Sequence, residues 1–204
     1  MSKLVPISGV LGLGGAIGGG AFLSSKLASK PETIKSRLEK EGYKVLNTTS
    51  SDHWNTILTS YKKDGNKWQF EDLKSKELDD LKKICSSKAE SNYSETLYKA
   101  FTKWCVVPRK AEDLLKGSVS LLGVDATHAN DKEDWRHNIE SYEKAKTSDS
   151  KYPLQGVTFT TGQEDQNVKD LKTGCKARRE KFTYDIELDS SIDEIKKWCL
   201  AKGK

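Results

Sequence analysis

Trp104-Cys105 and Trp198-Cys199 close two copies of one pattern, and any fold for this chain has to accommodate that doubling. Asp80-Leu81-Lys82-Lys83-Ile84-Cys85 returns as Asp170-Leu171-Lys172-Thr173-Gly174-Cys175, keeping acid, leucine, lysine and cysteine in register. Tyr98, Phe101, Trp104 and Cys105 return as Ile192, Ile195, Trp198 and Cys199 at the same spacing, and Trp54 with Tyr61 returns as Trp135 with Tyr142. Ser60 and Ser141 precede the two tyrosines. All four cysteines and four of the five tryptophans therefore pair off in one order, which reads as a tandem duplication. Pro31 and Pro108 open the copies, 31–107 and 108–204. Trp54 to Cys85 spans 31 positions and Trp135 to Cys175 spans 40, so the second copy carries extra loop, placed at 146–162 where Ser, Thr, Asp, Pro and Gly cluster.

Local patterns predict mostly helix. Pro31-Glu32 suits the first turn of a helix through Lys40, with Gly42 as its stop. Asp52 and Asp134 stand where N-caps would precede the Trp/Tyr helices. Leu73, Leu78, Leu81 and Ile84 share one face of a third helix, Ser94 caps a fourth, and Ser190 or Ser191 caps the last. Val157 to Thr160 and the alternating Phe182, Tyr184, Ile186 and Leu188 read as short strands.

Equivalent copies favour the disulfides Cys85–Cys105 and Cys175–Cys199; buried free thiols and the two other pairings remain open. A straight helical hairpin would leave Cys85 and Cys105 about two turns out of level, so the first bond calls for an early helix end at Ser86-Ser87. No two cysteines have the C-x-x-C spacing of structural zinc. His128, Asp131, Asp134 and His137 form the one His/Asp cluster; they are weak metal candidates beside the plainer reading of a solvated loop entering a helix. Lys176, Arg178, Arg179 and Lys181 make a basic knot, read as a solvated helix end. Walker, dinucleotide-binding, nucleophile-elbow and zincin motifs are absent, and no cofactor is expected.

From Leu4 to Leu23 the only polar side chain is Ser8, and as a helix these twenty positions would be about 30 Å long, the thickness of a bilayer core. The stretch reads as a single-pass anchor in lipid; a cleaved signal peptide and a buried glycine-rich segment are the rival readings. Gly14 with Gly18, and Gly15 with Gly19, have the small-xxx-small spacing through which two anchors could associate. Positive charge flanking the anchor slightly favours a cytoplasmic body, whereas disulfides argue for an outside one, and the second argument is given more weight. Setting aside Lys3, Lys26 and Lys30, the 35 basic residues leave 32 against 30 acids in 31–204. A nearly neutral body with intermixed charges lacks the basic face that nucleic acid requires.

The opening Met1-Ser2-Lys3-Leu4-Val5-Pro6, the glycine-alanine run ending near Phe22-Leu23-Ser24-Ser25, and the lysine-rich body with its repeated Trp-Cys resemble the paralogous families of uncharacterised proteins in haemotropic mycoplasmas. The resemblance implies a single-pass membrane protein, surface-exposed and variable between paralogues, and carries no functional residues. The expected architecture is mainly α with a few short strands: an N-terminal transmembrane helix and linker (1–30), then two related helical modules. The expected role is non-enzymatic, in host interaction or antigenic display at the cell membrane. The alternative is a small hydrolase or a metal- or ligand-binding enzyme with a site between the modules.

Overall fold

The computed structural model describes residues 31–49, 52–73, 75–127 and 131–201. The expected anchor at 4–23, with Gly14, Gly15, Gly18 and Gly19, lies outside them. Among the described residues no helix is long and apolar enough to cross a membrane. The described residues form one compact unit, and their fold is mainly α. Eight helices are present among the described residues: α1 (Ile34–Lys40), α2 (Trp54–Tyr61), α3 (Leu78–Lys88), α4 (Glu95–Trp104), α5 (Ala111–Leu115), α6 (Lys132–Lys144), α7 (Glu164–Arg179) and α8 (Leu188–Trp198). In the first half α1 packs on α4 and α2 on α3; in the second, α7 packs on α8, α6 on α7, and α5 on both α7 and α8.

Two hydrophobic cores follow the two copies. The first runs from Ile34 to Val106 and the second from Ala111 to Cys199. At the centre of each, a tyrosine ring meets the edge of the copy's last tryptophan: Tyr61 and Trp104 at 5.1 Å and 77°, Tyr142 and Trp198 at 5.2 Å and 88°. Each tyrosine hydroxyl accepts a buried backbone N–H at 3.0 Å, from Phe70 and from Leu154. The indole N–H of Trp54 donates to Asn47 O, and that of Trp135 to Gly123 O. Leu46 N–H donates to Cys105 O and Leu122 N–H to Cys199 O, so the short apolar run after each positive-φ glycine, Gly42 or Gly117, is fastened to the end of its copy's last helix. Asn47 and Asp125 each accept from the N–H and hydroxyl of the threonine two residues on. These contacts recur at matching positions of the two halves.

Cys85–Cys105 and Cys175–Cys199 are both disulfide-bonded, with Cα atoms 5.4 and 5.8 Å apart, and all four cysteines are fully buried. Each bond closes a loop of about twenty residues, which in the chain-entropy picture stabilises by about 3 kcal/mol. The expected helix end at Ser86-Ser87 is corrected, since α3 continues through Lys88. α3 and α4 are not a side-by-side hairpin. After α3 the connector is pinned by Ser91 O to Ile34 N–H and by Tyr93 N–H to Glu32 O, and α4, about 15 Å long, brings Cys105 back to Cys85.

Neither expected strand forms; among the described residues the β pairing consists of isolated bridges. At 157–160 the apolar alternation is real, because Val157 and Phe159 enter the second core. The backbone of Thr160, however, is paired by the Asn167 side-chain amide, at 2.9 and 3.0 Å, rather than by a neighbouring strand. At 182–188 the alternation serves two cores in turn: Tyr184 and Ile186 pack against the first, while Leu188 starts α8 and enters the second.

Helix starts also differ from expectation. Thr33, not Pro31, begins α1, through a capping box with Ser36. Glu32 and Thr33 are instead paired with Tyr93 and Asn92. Leu73 lies before α3 and packs on the first core from outside that helix. α2 follows His53 and α6 follows Asp131, so neither Asp52 nor Asp134 is a cap, and Asp134 sits in the first turn of α6. Ser94 does cap α4, accepting from Leu97 N–H at 3.3 Å. Ser190 and Ser191 lie inside α8, because Leu188, not either serine, stands ten residues before the closing tryptophan as Ser94 does; upstream of it the second copy inserts four residues, Cys175 and Cys199 being 24 apart against 20 for the first pair. That insertion, Tyr184 to Glu187, is the segment that reaches back to the first core.

Candidate functional site

Of the His/Asp cluster, the described members Asp131, Asp134 and His137 are not placed together to hold a metal ion. His128 lies outside the described residues. Asp131 is turned to Lys172, a side chain only 1 % exposed, whose ammonium pairs with the Asp131 carboxylate and donates to Asp125 O at 3.3 Å. Asp134 and His137 are both on the exposed side of α6. Among the described residues no group of three or more His, Cys, Asp or Glu is placed to hold a metal ion. The physical reason is that a buried lysine on α7 must find an opposite charge, and Asp131 is the acid beside it.

Of the basic knot, Lys176 is exposed as expected, whereas Arg178, Arg179 and Lys181 are tied into the fold. Arg178 pairs with Glu194 at 2.8 Å and donates to Gln155 O, and Lys181 pairs with Glu187 at 2.7 Å. Arg179, 5 % exposed, donates to Cys199 O at 3.1 Å, and burial pulls its guanidinium pKa down. The Lys181 ammonium holds the Glu187 carboxyl below the usual range. Three of the four cations are therefore taken up by intramolecular contacts that close the end of α7 against α8.

A second arrangement lies between the copies. A cleft of about 320 Å³ has Tyr43, Trp68 and α4 on the first-copy side, and Leu114, Leu188 and Ile192 on the other. Lys103, 5 % exposed, stands in it, carried by the last turn of α4. Its Nζ donates to Asp185 O at 3.3 Å, stands 3.7 Å from the Asp189 carboxylate, and sits over the Trp68 ring at 5.6 Å. Desolvation lowers its pKa, and Asp189 offsets that only in part. Beside the cleft, the Arg109 guanidinium lies over the Tyr43 ring at 5.1 Å.

Nothing in the chain distinguishes Lys103 among thirty lysines, so sequence reasoning passed over it. The signal that could have found it is its position, one residue before the Trp-Cys pair on a helix whose neighbours on both sides are core. No protein-family model matches the chain, and neither the curated proteins nor the solved structures give a match.

Proposed function

We propose that the chain is a membrane-anchored, non-enzymatic surface protein: residues 4–23 tether it, and a disulfide-stapled body of two related modules is presented outside the cell for host contact or antigenic display. The observation that carries this reading is the pair of equivalent, fully buried disulfides. Bonds of that kind persist in oxidising surroundings and are rare in a reducing cytosol. Further support comes from the buried polar groups, since Tyr61, Tyr142, Asn167, Lys172 and Arg179 each bond the fold's own backbone. The body's interior chemistry is thereby used to hold one shape, which leaves the charged exterior to make contacts. The resemblance to paralogous mycoplasma proteins points the same way.

The test is protease shaving of intact cells. Under this reading, peptides from 31–204 are released while a cytosolic marker stays whole. A body fully protected until the membrane is opened would refute it.

A further inference from the structure

The ammonium of Lys103 is the buried charge of the cleft between the modules, and its partners are long. An ammonium has three N–H donors. Here one reaches a carbonyl at 3.3 Å, and the nearest carboxylate oxygen, on Asp189, is at 3.7 Å, beyond hydrogen-bond range. Asp185 adds a more distant negative charge, and the face of Trp68 attracts the ammonium but accepts no strong hydrogen bond. A buried cation in that state gains from any further acceptor that can reach it. Around it the walls are of two kinds: aromatic and hydroxyl surfaces from Tyr43, Trp68 and Thr183, and an apolar floor from Leu114, Leu188 and Ile192.

We propose that this cleft is a binding site for a small anion carrying an apolar body, of the aliphatic or aromatic carboxylate class, with the Lys103 ammonium as its charge partner. Lys99 and Lys103 line the cleft with Asp189 as their counter-charge, which leaves one positive charge over and suits one negative charge better than two. The cleft favours an anion over a cation because Asp189 is 60 % exposed and solvated, whereas Lys103 is 5 % exposed and gains more from a partner. The apolar floor then discriminates a carboxylate with a hydrocarbon body from inorganic phosphate. Such a ligand would touch both modules, so binding would also raise the melting temperature. The inference stands on the cleft alone and does not depend on where the body is displayed.

The experiment is titration calorimetry of the full chain with phenylacetate, alongside benzylamine and inorganic phosphate at equal concentration. The site predicts saturable binding of phenylacetate only. Lys103→Met should weaken it about tenfold or more, while Lys146→Met, at a surface lysine over Tyr152, should leave it unchanged. Should Lys103→Met fail to fold, Ile192→Glu decides: it keeps the lysine and sets a carboxylate on the floor, and it too should weaken binding about tenfold or more. Absence of phenylacetate binding would overturn the proposal. So would equal binding of benzylamine or phosphate, or undiminished binding in the folded variants.

Discussion

Replacing Gly174 by alanine sets two known magnitudes against each other. In an exposed helix the change gains about 1 kcal/mol of propensity. Gly174, however, lies buried on α7, and a Cβ there would stand 2.3 Å from Val157 Cγ2 and 3.5 Å from Leu154 Cδ1. Val157 is 3 % exposed and β-branched, so its methyl cannot swing aside without leaving its rotamer or moving the 154–157 loop. Overpacking of this kind costs about 1–3 kcal/mol, and a contact this short belongs at the upper end. Gly174→Ala should therefore be destabilising by about 1–2 kcal/mol, read as a lower urea midpoint and a melting temperature lower by about 2–8 °C. Val157→Ala removes the obstructing methyl and leaves Cβ at an ordinary 3.7 Å. In that background the same change should be neutral or stabilising, a coupling of at least about 1 kcal/mol. A stabilised Gly174→Ala in the parent would refute the reasoning. The position also explains an asymmetry between the copies: Gly174 stands where the first copy has Ile84, because only the second copy folds its extra loop onto this helix.

Tyr61→Phe and Tyr142→Phe each leave a buried backbone N–H unpaired, at Phe70 and at Leu154, and each should lose about 1–3 kcal/mol in urea melts, a larger loss than a surface Tyr→Phe change gives. Burial pushes the Tyr142 phenol up to about 12, so the unfolded chain releases that proton first. Stability from this group is whole below about pH 10 and is lost as pH rises from about 10 to about 12; Tyr142→Phe should flatten that part of the urea-midpoint profile, and an unchanged slope would count against the assignment. Asp131→Ala removes the carboxylate partner of buried Lys172 and should destabilise by about 2 kcal/mol, whereas Asp134→Ala and His137→Ala, on the exposed side of α6, should stay within about 0.5 kcal/mol. Equal losses at all three would point back to a shared site.

The repeated residues were readable because core positions recur in order: Trp54 with Trp135, Tyr61 with Tyr142, and the two Trp-Cys pairs all mark equivalent contacts. Where one residue answers to two neighbourhoods, local pattern misleads. Tyr184, Ile186 and Leu188 alternate like a strand, yet they divide between two cores. The serines at 190 and 191 look like caps by analogy with Ser94, but counted back from the closing tryptophan it is Leu188 that takes the place of Ser94. Charge clusters were read as solvated or metal-binding, whereas Asp131, Arg178 and Arg179 are partners of groups distant in sequence. Lys103 follows the same rule, since its meaning lies in Asp185 and Asp189 of the other module.

Each copy is closed by its own disulfide, and the proposed display outside the cell requires both bonds to form in an oxidising compartment. Peptide mass mapping of the protein taken from cells, alkylated at once and digested without reductant, tests that directly. The linked peptides should join Cys85 to Cys105 and Cys175 to Cys199 at full occupancy. Alkylated free thiols, or a link between a cysteine of one copy and a cysteine of the other, would contradict it.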